Sequence, residues 1–351
     1  MTKITQVDVA VVGGGPAGSL LAERLAAGGA RVVVFDHSHP REKVCAGGIS
    51  ARARAMFPEL EELVPQGKTG TELRLVSPGG HRARVRGKGR TFAIDRTILD
   101  KALLDRAVQA GAEWRQQKVL SFEKSAEGYV VQTAHRVMGA RIIVGADGVH
   151  SLVRRHFAGA IAREHLALGA HVLVEDFAAP SALIRFLGDR RGYAWVFNRR
   201  DRASIGVGMP QSHKDDWLEQ LANFFAAQVL DRTMPRIQGW TLPQASTAEF
   251  FRAPVAGDDW LLIGDAAGHV DPLSGEGIWY ALWGAALAAE AILAGRPVDF
   301  DRRWREAYLA RFEKHIKQAA YLTKPRLLDA AILAAKLPAV GGLLFNKLAG
   351  S

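Results

Sequence analysis

The chain has 351 residues, 48% of them hydrophobic and 23% charged, with one cysteine and a net charge of +10. That length accommodates two domains, and a lone cysteine excludes a disulfide framework, a cysteine-ligated zinc site and an iron–sulfur cluster. The positive balance suits nucleic acid, an anionic membrane surface, a phosphorylated substrate, or only solvated basic faces; no recognition motif accompanies the charge, so nucleic acid is set aside and no metal site is expected.

Residues 7–12 are an apolar run of the kind that forms a parallel strand buried on both faces. The run ends in Gly13-Gly14-Gly15-Pro16-Ala17-Gly18, a match to G-x-G-x-x-G. A helical pattern with Leu20, Leu21 and Leu25 follows, then a second strand over 31–35 closed by Asp36. Each position has a physical task. Gly13 permits the tight turn, Gly15 lets backbone approach a pyrophosphate, and Gly18 lets helix and strand pack closely. The helix N-terminus offers free N–H groups to phosphate, and Asp36 is placed to accept hydrogen bonds from ribose hydroxyls. An acid here disfavours a 2′-phosphate, so the site suits FAD or NAD better than NADP.

Residues 41–50, REKVCAGGIS, carry the cysteine: Cys45 precedes Ala46, Gly47 and Gly48, a backbone bare enough for close approach. Further on, AIDRTILDKALLDRAVQAGAEW opens a helix with Arg96 and turns through Gly-Ala into a strand. A buried strand over 142–144 ends in Gly145-Ala146-Asp147-Gly148, with a helix starting near 149. Residues 160–255 alternate as strands, with one helix over about 214–229, and read as a largely antiparallel sheet inserted in the dinucleotide fold. Within it, Tyr193, Trp195 and Phe197 fall on one face, as a ligand wall or simply as packed core.

A strand over 260–263 leads into Gly264-Asp265-Ala266-Ala267-Gly268, and the loop runs to Gly275-Glu276-Gly277 before an Ala-rich helix begins at Ile278. A carboxylate at a buried strand end needs a partner, which a ribityl chain would supply. Free N–H groups at 275–278 would face an electron-rich ring edge. Taken alone, each Gly-Asp pair is equally a strand-end turn. Residues 301–351 are helical and basic, with ten Lys/Arg against four Asp/Glu. Trp304, Tyr308, Phe312 and Ile316 fall at helical spacing and are expected to pack on the protein. The apolar end after Pro325 is too interrupted to span a bilayer; it reads as an interfacial segment or as a cap over the pocket.

The three glycine-rich sites, with GADGVHSLVRR and GDAAGHVDPLSGEGI, resemble the FAD-binding superfamily that includes p-hydroxybenzoate hydroxylase. The likeness covers most of residues 5–295. It implies FAD as cofactor, with Arg96 approaching the pyrophosphate, backbone near Val119 meeting adenine, and Asp147, Gly148, Gly264 and Asp265 lining the ribityl side. Within that superfamily, GYAWVFNRRDRASIGVG and KVCAGG are similar to the Y-x-W-x-F…G-x-G and C-x-G-G segments of the geranylgeranyl reductase family. The segments depart from the family pattern at Val44 and Asn198, where proline is usual.

This second resemblance implies reduction of carbon–carbon double bonds in a prenyl chain carried by a lipid, diphosphate or quinone. Reduced flavin would supply the hydride, Cys45 would donate or relay the proton, and the aromatic row would bind the chain. It leaves Cys45 open to the inert-core reading. Two rivals share the fold: an aromatic hydroxylase using oxygen, and a non-catalytic FAD-binding assembly or sensor protein. No second nucleotide fingerprint is present, so the electron donor is NAD(P)H binding transiently, ferredoxin or another carrier protein.

The expected architecture is α/β. A discontinuous FAD-binding domain covers 1–159 and 256–300, the substrate domain 160–255, and a helical C-terminal region 301–351. With no signal peptide and no run of about 18 uncharged apolar residues, the expected location is cytoplasmic, with the inner face of the membrane as a peripheral site.

Overall fold

A computed structural model describes residues 5–188 and 191–349. Among the described residues two sheets form, and the order of their strands decides where a ligand can sit.

The first sheet starts from β1 (Gln6–Val12), whose alternate and consecutive residues are nearly all buried. It pairs in parallel with β2 (Val32–Phe35) on one side and with β9 (Val137–Gly145) on the other. Full burial of both faces explains why β1 and β2 read as continuous apolar runs rather than alternating ones. The order is β6-β2-β1-β9-β8-β7, with β15 (Trp260–Leu262) beside β9; β6 spans Glu113–Arg115, β7 Val119–Ser125 and β8 Gly128–Thr133. Helix α1 (Pro16–Ala27) has proline in its first turn and packs against α6 (Ile278–Leu293), whose alanines allow close approach. Helix α3 (Arg96–Gln109) lies against α1, and the short α4 (Leu152–Phe157) follows β9.

The second sheet has the order β14-β10-β13-β12-β11-β4-β5-β3. Its strands are β3 (Gly48–Ile49), β4 (Lys68–Val76), β5 (Arg82–Ala93), β10 (Leu166–Glu175), β11 (Ala182–Phe186), β12 (Tyr193–Asn198), β13 (Arg202–Pro210) and β14 (Gln238–Pro243). Three of these come from residues 48–93, ahead of the stretch from which the sequence led us to expect the whole sheet. The physical reason is that β4 joins β11 in parallel, a pairing between residues more than a hundred positions apart that no local pattern announces.

Alternation divides this sheet cleanly. Ala194, Val196, Ala203, Ile205 and Val207 pack against Leu221, Phe224 and Phe225 of α5 (Trp217–Gln228). The opposite face, carrying Tyr193, Trp195 and Phe197, lines the main cavity. Helix α5 begins three residues later than expected because residues 211–216 form a 3₁₀ turn.

After α2 (Ala51–Met56), the remaining helices are α7 (Asp299–Trp304), α8 (Ala310–Ala319), α9 (Pro325–Ala334) and α10 (Pro338–Ala349). Trp304, Tyr308 and Phe312 are buried, as their helical spacing predicts. Leu328, Ile332 and Ala335 pack on Leu73, Leu75, Val85 and Phe186, so α9 buttresses the end of the second sheet. Asp329 fixes the β4–β5 turn, accepting from Ser77 Oγ at 2.5 Å and Gly79 N–H at 2.9 Å.

Candidate active site

Between the sheets lies a cavity of ≈ 1010 Å³, enough for a dinucleotide cofactor together with part of a second ligand. The glycine turn after β1 forms one end of it. Gly13 has φ +105°, and a Cβ there would collide with the carbonyl of Ala146. A Cβ on Gly18 would collide with the carbonyl of Gly13, so this glycine serves helix–strand packing and does not itself line the cavity. Gly15 is different: a Cβ there would meet only the tip of Arg41, at 3.3 Å, and would project into the cavity.

Asp36 closes β2, 7% exposed, and accepts from the N–H groups of Gly14 and Ser38, both at 2.8 Å, and from Arg41 at 3.0 Å. Burial opposes its ionisation, yet Arg41 and these donors hold its carboxyl below the usual carboxylate range. Arg96 is buried, bidentate to Asp100 at 2.7 and 2.8 Å, and kept charged by that carboxylate against the cost of burial. Two guanidiniums, Arg41 and Arg96, therefore line the cavity by the glycine turn.

Asp147 accepts from Leu152 N–H at 2.7 Å through Oδ2, while its buried Oδ1 has no partner. Burial raises its pKa. Asp265 pairs with Lys43 at 2.6 Å. The loop from Asp271 to Gly277 is ordered by Asp271, 1% exposed, which accepts from Leu273 and Ser274 N–H at 2.9 Å, Tyr280 Oη at 3.2 Å and His315 Nδ1 at 2.7 Å.

Cys45 is half-buried and lines the cavity; its Sγ accepts from Gly47 N–H at 3.2 Å. Gly47 has φ +75°, and a Cβ there would collide with the carbonyl of Ile94, so its requirement for glycine comes from a tight backbone crossing. Gly48 and not Gly47 lines the cavity, and its Cβ position is 3.4 Å from Phe197. Across the second sheet, Phe186, Tyr193, Gly208, Gly169 and Trp240 stand in register as one row. Two glycines thus floor a furrow between Tyr193 and Trp240. Tyr193 Oη donates to the carbonyl of Ser274 at 3.1 Å, and burial pushes its phenol up to about 12, so it stays neutral.

Of the residues singled out from sequence, Gly13, Gly15, Ala17, Asp36, Cys45, Ala46, Gly48, Arg96, Val119, Asp147, Gly148, Gly264, Asp265, Gly275, Gly277 and Ile278 converge on this one cavity with the aromatic trio. The sequence reading missed Arg41, Lys43 and the clamp on the cysteine loop. Arg199, 1% exposed, bonds Glu42 at 2.9 Å, Asp95 at 2.5 Å and the Cys45 carbonyl at 2.9 Å. Ser204 Oγ also donates to that carbonyl, at 3.3 Å, and accepts from Trp195 Nε1 at 3.0 Å. Buried His171 touches Ser204 at 2.9 Å, and burial together with Arg199 lowers it to about 4, so it is neutral.

Residues 6–294 match the FAD binding domain family. The chain is 31% identical to digeranylgeranylglycerophospholipid reductase 1 of Methanopyrus kandleri, over 88% of each protein. It belongs to the geranylgeranyl reductase family of FAD-dependent oxidoreductases. Another member, the menaquinone reductase of Mycolicibacterium smegmatis, is also 31% identical, covering 93% of this chain and 87% of that protein. The fold is that of the geranylgeranyl bacteriochlorophyll reductase-like protein of Thermoplasma acidophilum, with a TM-score of 0.79 at 20% identity, covering 95% and 92% of the two chains.

The residues present fit FAD. The unpartnered Oδ1 of buried Asp147 is an acceptor such as a polyhydroxylated ligand needs, the Cβ position of Gly148 meets no protein atom, and the guanidiniums of Arg41 and Arg96 suit a pyrophosphate. Among the described residues no cluster of metal ligands forms.

Proposed function

We propose that this reductase saturates carbon–carbon double bonds of a prenyl chain on a lipid, diphosphate or quinone. The observation that carries this reading is one cavity in which Cys45, the glycine cradle and the Tyr193–Trp195–Phe197 face meet. A prenyl chain offers apolar surface and weakly polar double bonds, which aromatic faces and bare backbone bind without leaving buried polar groups unpaired.

Reduced FAD, when bound, supplies the hydride. On the protein's side, Gly13, Gly15, Arg41 and Arg96 would hold the pyrophosphate, Asp36 the adenosine ribose, and Asp147 and Asp265 the ribityl hydroxyls. The sequence suggested four free N–H groups at 275–278, but Gly275 N–H donates to the Asp271 carbonyl at 2.9 Å and Glu276 N–H to Ser274 Oγ at 3.3 Å, so those of Gly277 and Ile278 would be the ones to stabilise negative charge at the ring. Cys45 gives or relays the proton to the second alkene carbon, and Gly47 N–H steadies the sulfur when the proton leaves. Electrons come from a nicotinamide nucleotide or a ferredoxin-type carrier. Because such chains reside in bilayers, the protein works peripherally at an anionic membrane surface.

The test is stopped-flow reoxidation of the reduced, FAD-loaded protein by geranylgeranyl diphosphate, with products read by mass spectrometry. Cys45→Ala and Cys45→Ser should retain FAD and reoxidise about 10²–10⁴ times more slowly. Unchanged turnover per bound FAD in both variants makes the cysteine an inert wall residue. Oxygen uptake driven by phenols, with no saturation of prenyl substrate, makes the protein a hydroxylase instead.

A further inference from the structure

The sequence HRARVRGKGR, residues 81–90, alternates basic residues along β5. In the structure Arg82, Arg84 and Arg86 pair with β4 alone, because β3 reaches β5 only at Phe92 and Ala93; among the described residues no second strand joins this stretch, which is the sheet's edge. The cations do not stop at the edge. Arg84 stands directly opposite Arg74 of β4, and Val76 has Arg82 on one side and Arg185 of β11 on the other. The five guanidiniums share one face of the sheet, where Glu72, bound to Arg86 at 2.6 Å, is the only acid among their cross-strand partners.

Like charges directly opposite each other destabilise a sheet. Charged residues on an edge strand are also a common guard against strand-to-strand aggregation. That guard accounts for Arg82, Arg84 and Arg86 but not for Arg74 and Arg185, which sit on interior strands. Arg74 has a buried Nε with no partner, and burial and Arg84 both disfavour its charge.

The same edge carries apolar surface on its other side. Helix α10 runs over β5, with the Cβ positions of Gly341 and Gly342 at 3.5 Å from Val85 Cγ1 and 3.8 Å from the Arg86 carbonyl oxygen. Leu333, Leu337, Val340 and Leu343 are exposed there, Leu343 at 73%. Glu72 and Leu73, beside the arginines, line the cavity.

We propose that the β5 edge, with the Arg74–Arg82–Arg84–Arg86–Arg185 face on one side and the α9–α10 leucines on the other, is the surface that docks on an anionic lipid bilayer and turns the Glu72–Leu73 end of the cavity toward it. Guanidiniums bind lipid phosphates bidentately, and an apolar ridge beside them inserts at the headgroup boundary. A soluble acidic protein would match the arginines but would leave the leucine ridge uncovered. The delivery of substrate from the bilayer rests on the prenyl reading above; the docking itself does not.

The test is flotation with phosphatidylcholine vesicles, with and without phosphatidylglycerol, across a salt series. The FAD-loaded protein should float with the anionic vesicles and release as salt rises. Arg82→Glu/Arg84→Glu should weaken flotation at least about tenfold while melting temperature and turnover of detergent-dispersed substrate stay unchanged. Leu337→Ser/Leu343→Ser should weaken it independently of salt. Equal flotation of the wild type with neutral vesicles, flotation unaffected by the arginine pair, or capture by soluble poly-glutamate but not by vesicles would each overturn the proposal. Flotation without prenyl reduction leaves docking intact and removes the substrate reading; prenyl reduction without flotation does the reverse.

Discussion

The guanidinium of Arg199 donates to the carbonyl oxygen of Cys45 at 2.9 Å while paired with Glu42 and Asp95. Arg199 follows the aromatic strand β12 of the second sheet, and Cys45 belongs to the cavity-lining loop ahead of β3. One buried cation thus ties the two halves of the site together.

Arg199→Met removes the buried cation from Glu42 and Asp95 and leaves them only the partly exposed Arg202, at 3.6 and 2.8 Å. Loss of one partner from a buried pair typically costs about 3–5 kcal/mol. Urea denaturation of the FAD-loaded protein should show a loss short of that range, because Arg202 stays with both carboxylates, and Arg199→Lys should recover only part of it, because lysine has no fork to reach three acceptors.

Two neighbouring glycines should separate fold from cofactor. Gly13→Ala places a Cβ against Ala146 in a left-handed conformation and should destabilise the protein by at least about 1 kcal/mol. Gly15→Val meets no fixed atom of the protein and should give a folded, colourless protein with a near-normal melting temperature once FAD is stripped from both samples. Yellow Gly15→Val protein would show that the pyrophosphate lies elsewhere.

Asp147→Ala and Asp265→Ala should each weaken FAD binding by about 1–3 kcal/mol, measured by fluorescence titration of apoprotein. Each change also strands a protein partner, Asp147→Ala the Leu152 N–H and Asp265→Ala the Lys43 ammonium, so the melting temperature of each apoprotein is measured alongside. Unchanged affinity in both would reduce these residues to strand-end turns.

The protein should lose stability on mild acidification. His171 is held near 4 when folded against an ordinary value of 6.5, so the unfolded chain binds its proton first. Stability is full above about pH 6.5 and drains as pH falls toward 4, by about 3 kcal/mol for this group. Buried His269, lowered to about 3, acts in the same direction. His171→Asn should flatten the profile between pH 6.5 and 4 in denaturation series; an unchanged slope would exclude His171 as a contributor.

The glycine cradle was legible in the sequence because each of its positions is constrained by its immediate neighbours along the chain. The aromatic face was legible because alternation is a local property of a strand. Arg199, His171, Ser204 and Lys43 were not, since each acquires its meaning from a partner at least thirty-three positions away. The same reason hid β4 and β5: their alternating arginines look like a solvated segment until the pairing with β11 places them in the second sheet. Gly47 was legible as an obligatory glycine, but the neighbour that makes it so is Ile94.

The alternation of β12 has an engineering consequence. Ala194 and Val196 belong to the seam with α5, while Tyr193, Trp195 and Phe197 belong to the cavity lining. Folding and ligand preference are therefore written on different residues of the same six-residue strand. The lining can be recut for a longer, shorter or branched guest while the seam is left alone, provided the bonds of Tyr193 to Ser274 and of Trp195 to Ser204 are replaced. Trp195 lies directly over Gly206, where a Cβ would collide with its indole and with the Ala170 carbonyl, so position 206 stays glycine however Trp195 is exchanged.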